Sequence, residues 1–252
     1  MITCTAPQGS QEWANDRAGV ITASMFAIVR AKVNGLNDQQ KTYVDALQIG
    51  HSEKEAQALA GYKAAPRSTT IARALAGEEV GEYSEAAKNY AFRLAVERIY
   101  GASTEEAFET WQMRRGKELE EPCRIRHERD IGTYVELATF IKTDDNKFGC
   151  SADALIDEDG GAEYKCFLAP DKLRPIIIDN DWGDITDQVQ GSLWLTGRKW
   201  WDQCLYCPPL ANAGKDFTRL RVARDEKYIE ELEADMTVFE QLVTEWEARL
   251  RA

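Results

Sequence analysis

Cys150-Ser-Ala-Asp-Ala-Leu-Ile-Asp-Glu-Asp-Gly-Gly-Ala-Glu-Tyr-Lys-Cys166 reads as a strand, a turn and a second strand. Asp153 sits near the end of the first apolar run. Glu163 and Lys165 follow on the second, after the turn Asp159-Gly160-Gly161. Residues two apart on a strand point to the same face, so Glu163 and Lys165 project together. A hairpin brings Asp153 beside them. Two carboxylates and one ammonium at the end of a short sheet can hold a divalent cation and orient a water, as phosphodiester hydrolysis requires. The ordinary alternative is an acid–base pair on the wet face of a hairpin. The rest of the chain decides between them.

The 252 residues are 44% hydrophobic, enough for one sizeable domain or a domain with an insert. The formal net charge of −12 argues against a simple nucleic-acid coating protein. It leaves room for a metal-dependent site with a local basic groove, and Arg114, Arg115, Lys117, Arg124, Arg126 and Arg129 cluster in one window. The six cysteines form no regular framework and read as reduced, partly buried thiols. Cys204-Leu-Tyr-Cys207 is a lone pair, and only His51 and His127 could add to it, so zinc is not indicated. No signal peptide or membrane-length apolar run is visible.

Residues 8–30 read as a helix-entry segment in which Thr22 or Ser24 caps a helix through Met25, Phe26, Ile28 and Val29. Helices are expected near 38–48, 53–61, 68–76 and 84–100, broken by Gly50, Pro66 and Gly77, with a capping box at Ser52 and Glu55. A further helix spans 103–129, kinked or restarted at Pro122. Strands are expected at Tyr134–Ile141, Phe148–Leu155, Ala162–Phe167, Trp200–Tyr206 and Phe217–Val222. Residues 169–183 read as a Pro- and Asp-rich loop, 186–195 as a helix, and 225–251 as a long amphipathic helix. The class is α/β or α+β: a short mixed sheet flanked by helices, one domain over 1–252 with a helical insert at about 35–105. The insert reads first as a structural lobe, and second as a small helix-turn-helix unit that reads DNA.

Several motifs stand in order: Trp13-x3-Arg17-x-Gly19-Val-Ile-Thr-Ala-Ser24, Arg115-Gly-Lys-Glu-Leu-Glu120, Ser151-Ala-Asp153, Glu163-Tyr-Lys165 and Gln188-Val-Gln-x3-Trp194, then Arg224-Asp-Glu-Lys-Tyr228. In this order they resemble the phage lambda exonuclease, or YqaJ-like viral recombinase, family of the PD-(D/E)xK restriction-endonuclease-like superfamily. The resemblance covers about residues 12–240 outside the helical block, and implies a restriction-endonuclease-like core. It implies that Asp153 and Glu163 bind metal with the backbone carbonyl of Tyr164, and that Glu120 completes a second metal site. Lys165 then positions the attacking water. Arg17, Ser24, Ser151 and Gln188 match a pocket for a terminal 5′-phosphate, whose charge suits a guanidinium fork with hydroxyl donors. Without the resemblance, Arg17 reads as a surface ion pair, Ser24 as a helix cap, Gln188 as a half-exposed helix residue, and Lys165 as a surface partner of Glu163. Ser151-Ala152-Asp153-Ala154 departs from the family's Ser-Pro-Asp-Gly, and Arg115 replaces an aromatic residue. Met113 lies where an apolar wedge could part a duplex, although a helical Met is commonly core.

The implied activity is a Mg²⁺-dependent 5′→3′ exonuclease that uses two ions, with Mn²⁺ an alternative, and releases 5′-mononucleotides from linear double-stranded DNA with a 5′-phosphate. The resemblance also implies a homotrimeric ring, a single-strand annealing protein as partner in phage or prophage recombination, no membrane association, and a place in the bacterial cytoplasm. The competing readings are a catalytically silent DNA-end binding protein and another RecB-like nuclease. The iron–sulfur form of the latter needs four spaced cysteines, which Cys204 and Cys207 do not supply.

Overall fold

The computed structural model describes residues 1–104, 111–166 and 170–252. The chain divides into two compact units, Met1–Ala27 with Asn89–Ala252, and Ile28–Lys88. In chain order the elements begin with β1 (Ile2–Thr3), α1 (Gln11–Arg17), β2 (Ile21–Thr22), a 3₁₀ turn at Ala23–Met25 and α2 (Phe26–Arg30). Next come β3 (Lys32–Val33), α3 (Asp38–Gln48), α4 (Glu53–Ala60), α5 (Thr69–Leu75), β4 (Glu82–Tyr83) and α6 (Glu85–Tyr100). The remainder is α7 (Trp111–Ile131), β5 (Glu136–Leu137), β6 (Phe140–Lys142), β7 (Phe148–Ser151), β8 (Ala154–Ile156), β9 (Gly160–Lys165), α8 (Pro170–Asp179), α9 (Gly183–Thr196), β10 (Trp200–Tyr206), β11 (Phe217–Ala223) and α10 (Glu226–Arg251).

The smaller unit is built from local rules. Asn37 caps α3 and Ser52 caps α4, each through a reciprocal capping box. The helices bury Tyr43, Val44, Ala56, Ile71 and Ala74 in a core of their own. The turns that separate them use Gly50 and Gly61 at positive φ, where L side chains are disfavoured.

In the larger unit two sheets meet. One has the order β1-β6-β7-β2 and the other β11-β10-β9-β8-β5. The chain crosses between them twice, so the expected strands Tyr134–Ile141 and Phe148–Leu155 are each split into two short ones. The second split falls at Asp153. Its Oδ2 accepts the backbone N–H of Tyr164 at 2.5 Å, which occupies the donor that a continuing ladder would need. The turn also sits earlier than expected. Residues 157–159 make it, with Asp157 at positive φ, while Gly160 and Gly161 already belong to β9. They are glycines for a packing reason. The parallel register sets them beside Trp200 and Trp201, whose rings would lie 2.2 and 2.3 Å from an added Cβ.

The five-stranded sheet is covered on both faces. On one face Ala162, Tyr164 and Cys204 pack with Cys123 of α7. On the other, Trp201 and Ala152 pack with Val189 and Leu193 of α9. Within the stretch expected as a loop, residue 169 lies outside the described residues and Pro170–Asp179 form α8, whose Leu173, Ile176 and Ile177 join Trp182, Ile185 and Leu205 in one cluster. Proline is well tolerated at a first helical position, and the apolar spacing outweighs the polar composition. Pro122 neither ends nor restarts α7, which runs through it. Thr22 precedes the 3₁₀ turn but makes no side-chain cap bond there.

Candidate active site

β9 carries alternate residues to opposite faces, and this sorts the site. Glu163 and Lys165 face α9, whereas Tyr164 faces α7. Glu163 is 6% exposed, so the pair is not on a wet face. Its Oε1 accepts Lys165 Nζ at 2.8 Å and Gln188 Nε2 at 2.7 Å, and Lys165 also donates to Gln188 Oε1 at 3.0 Å. Glu163, Lys165 and Gln188 thus form a closed triangle. Glu163 Oε2 is buried and, among the described residues, accepts no hydrogen bond.

Asp153 and Glu120 stand on the other side of the strand end. Both line an open cleft of ≈ 530 Å³ with Lys117, Glu121, Arg124 and Tyr164. The acids feel one another through the sheet edge. Burial and then the charge of Glu163 push the Asp153 carboxyl well above the usual range, against the Tyr164 N–H and Lys165. Burial and then Glu163 push Glu120 up as well. Burial acts to lower Lys165, but the charge and hydrogen bond of Glu163, with Asp153 and Glu120, outweigh it and raise the ammonium. Three acids thus crowd one ammonium in a partly dehydrated place, which favours an added cation.

The donor set suits a hard oxygen-seeking ion: carboxylates from Asp153, Glu163 and Glu120, and the unbonded Glu163 Oε2. Among the described residues, no group of three or more His, Cys, Asp or Glu side chains is closed tightly enough to hold a metal as it stands. Asp153 is turned onto the Tyr164 N–H, and Glu163 Oε1 onto Lys165 and Gln188. All six cysteines are free, and Cys204 and Cys207 are buried.

The four residues matched to a phosphate pocket are not all together. Gln188 belongs to the Glu163 triangle. Ser151 ends β7 with its Oγ buried and, among the described residues, without a hydrogen-bond partner. Ser24 is exposed on the 3₁₀ turn, which packs against both β7 and α9. Arg17 ends α1 with its guanidinium 4.1 Å from the Trp13 ring centre. It lines a separate ≈ 20 Å³ cavity with Thr22, Tyr90, Arg93, Glu97 and Ser103. Thr22 links the two places, since its Oγ1 lies 3.3 Å from Ser24 Oγ. Arg17 is carried by a tight turn through Gly19 (φ +71°), with Val20 N–H donating to Arg17 O. Glu97 accepts the Gly19 N–H at 2.9 Å, and Arg98 donates to its carbonyl at 2.8 Å. The side chain of Met113 lies outside the described residues. The basic cluster is partly neutralised: Arg115 pairs with Glu118, and Arg124 with Glu128.

Beneath the site lies a group that the sequence did not single out. His127, fully buried on α7, has Nδ1 at 3.1 Å from Tyr164 Oη and Nε2 at 3.0 Å from Asp202 Oδ2. Asp202 also accepts two bonds from Arg221, each of 2.8 Å. Burial acts to raise Asp202, but hydrogen bonds from Arg221 and His127 outweigh it and hold the carboxyl at about 2.

A model of the YqaJ-like viral recombinase domain matches residues 12–199. No curated protein matches this chain. Among solved structures, an alkaline exonuclease (LHK-Exo) from Laribacter hongkongensis superposes with a TM-score of 0.66 at 23% identity, over 96% of this chain and 97% of that one. The same enzyme in complex with dAMP gives 0.67 at 22% identity, again over 96% and 97%. A phage-related exonuclease from Haemophilus somnus 129PT gives 0.52 at 16% identity, over 73% of this chain and 88% of that one. At these identities the likeness shows a shared fold. Among the described residues, no helix is long and apolar enough to cross a membrane.

Proposed function

This chain belongs to the YqaJ-like viral recombinase family, and on that premise we propose that it is a Mg²⁺-dependent 5′→3′ exonuclease acting on linear double-stranded DNA. The observation that carries this reading is the buried Glu163–Lys165 pair beside Asp153 and Glu120, with one carboxylate oxygen that no described residue bonds. A structural ion pair gains nothing from two further acids placed against it, whereas a metal-assisted hydrolase needs them.

Asp153, Glu163 and Glu120, with the backbone carbonyl of Tyr164, would hold two divalent ions, Mg²⁺ or Mn²⁺. When bound, such ions supply Lewis acidity and lower the pKa of an attacking water. Lys165 contributes a fixed positive charge where negative charge develops on the phosphate. Gln188 holds both Lys165 and Glu163 in place from α9. Lys117 and Arg124, on the cleft wall, face the backbone of an entering strand. The proposed 5′-phosphate pocket draws on Gln188, Ser151 and Ser24, with Arg17 in the adjoining cavity that Thr22 links to Ser24; a phosphate held there registers the strand end, so nucleotides leave one at a time. The products are 5′-mononucleotides and a 3′ single-stranded overhang, the substrate of a single-strand annealing protein in phage or prophage recombination inside the bacterial host. A homotrimeric ring would let an acidic chain track DNA by enclosure, and Asp153, Glu163 and Lys165 would take the acidic and lysine places of the PD-(D/E)xK pattern, with Ala152 in place of its proline.

The test is digestion of linear duplexes with 5′-phosphate or 5′-hydroxyl ends. Asp153→Ala and Lys165→Ala abolish nucleotide release while circular dichroism shows the fold retained. Arg17→Ala impairs phosphorylated ends preferentially. Equal loss on both ends would remove Arg17 from the pocket, and full activity of Asp153→Ala would remove the site.

A further inference from the structure

Resting on that reading, we propose that His127 is a positioning residue: it sets the spacing between Glu120 on α7 and Asp153 beside β9, and so sets divalent-cation affinity. His127 and Glu120 are seven residues apart on one helix, two turns along the same face. His127 reaches two neighbouring strands at once. Tyr164 lies on β9 and Asp202 on β10, and both side chains rise from the α7 face of the sheet. Asp202 only accepts, so the proton sits on His127 Nε2. In the neutral ring Nδ1 then accepts the Tyr164 O–H. Tyr164 is the residue whose backbone N–H holds Asp153 Oδ2 at 2.5 Å. One imidazole is therefore connected, through a single residue, to one proposed ligand and, along its own helix, to another.

A second tie runs parallel to the first. Arg219 donates to Asp202 on β10 and to Asp130 on α7, the latter at 2.7 Å. The imidazole also packs against the rings of Tyr164 (centres 5.7 Å apart) and Phe217 (6.3 Å). Helix and sheet are thus fastened at depth by directional bonds rather than by apolar contact alone. Mg²⁺ accepts little departure from octahedral oxygen geometry. Ligands drawn from a helix and a sheet satisfy it only if the two cannot slide.

The experiment is calorimetric titration of Mg²⁺, and separately Mn²⁺, into the DNA-free full chain, with thermal unfolding followed alongside. The variants are Tyr164→Phe, His127→Gln and Glu120→Gln. Removing an outer-shell partner typically weakens metal binding by about 10-fold or more. Tyr164→Phe is expected to show about that loss while remaining folded, and the Mg²⁺ concentration for half-maximal digestion moves by the same factor. His127→Gln, which can satisfy one of the two partners, shows a loss in the same direction. Unchanged ion affinity in Tyr164→Phe overturns the proposal, leaving His127 a structural residue, and decides the matter even if His127→Gln fails to fold. Unchanged affinity in Glu120→Gln overturns the proposed metal site itself, and the positioning role with it.

Discussion

Replacing Lys165 by Met removes one ammonium and keeps most of the side-chain volume. In the wild type that ammonium donates to Glu163 Oε1 at 2.8 Å and to Gln188 Oε1 at 3.0 Å. The side chains of Lys165 and Glu163 are only 23% and 7% exposed, so solvent screens the pair weakly. Breaking a buried pair from one side costs about 3–5 kcal/mol, because the remaining charge is left uncompensated. Gln188 still donates to Glu163, and Lys165 is not fully enclosed, so the low end applies, about 3 kcal/mol. For a chain of this size that corresponds to a Tm lowered by about 6–12 °C. The double variant Glu163→Gln/Lys165→Met removes the stranded charge and is expected to recover about 2 kcal/mol of the loss. Mg²⁺ should likewise stabilise Lys165→Met, since a bound cation restores the missing charge. The assay is denaturant unfolding followed by circular dichroism, in EDTA and in Mg²⁺. If Lys165→Met in EDTA is as stable as the wild type, or the double variant is no better than the single one, the pair is not the buried, charge-limited element argued here.

Three further outcomes follow from the same geometry. Asp202 is held at about 2 against an ordinary 3.8, so its contribution of roughly 2 kcal/mol is present above pH 4. It is lost as pH falls from about 4 toward 2, and Asp202→Asn should flatten that limb of a pH–stability curve. Gly160→Ala drives a methyl into the Trp200 ring and should destabilise by about 1–3 kcal/mol, measurable by thermal unfolding; a neutral result would mean that β9 and β10 are not in the described register. Glu97→Ala releases the Gly19 N–H. It should narrow the preference for 5′-phosphate over 5′-hydroxyl ends in the direction of Arg17→Ala, read from the ratio of kcat/KM values, and an unaltered ratio would separate the turn from end recognition.

Much of the site is legible in the chain because strand parity is rigid. Glu163 and Lys165, two apart, share a face in the structure as the spacing requires, and Asp153 comes beside their strand across a short turn. Helices α3, α4 and α5 are legible for a similar reason: their caps and glycines are local signals, and the reciprocal bonds of Ser52 and Glu55 are formed. Other features have no local signature. The strand break at Asp153 depends on one side chain taking the N–H of a residue eleven positions on. α8 was hidden by prolines and aspartates, although Leu173, Ile176 and Ile177 kept helical spacing. In the chain, His127 stands alone among the Arg and Glu residues of its helix. Its seven-residue offset from Glu120 was the available clue, but its partners Tyr164 and Asp202 lie 37 and 75 residues away. The separation of Arg17 from Ser151 and Gln188 was equally invisible, since motif order says nothing about which cavity a side chain lines.

The central claim is that Asp153, Glu163, Glu120 and Lys165 form a cation-dependent phosphodiester hydrolysis site. Its most direct measurement is product analysis after incubating linear, 5′-phosphorylated duplex DNA with the purified chain, in Mg²⁺ and in EDTA. The account predicts 5′-mononucleotides drawn from one strand in Mg²⁺ and none in EDTA. Nucleotide release that persists in EDTA, or no release with either Mg²⁺ or Mn²⁺, would contradict it.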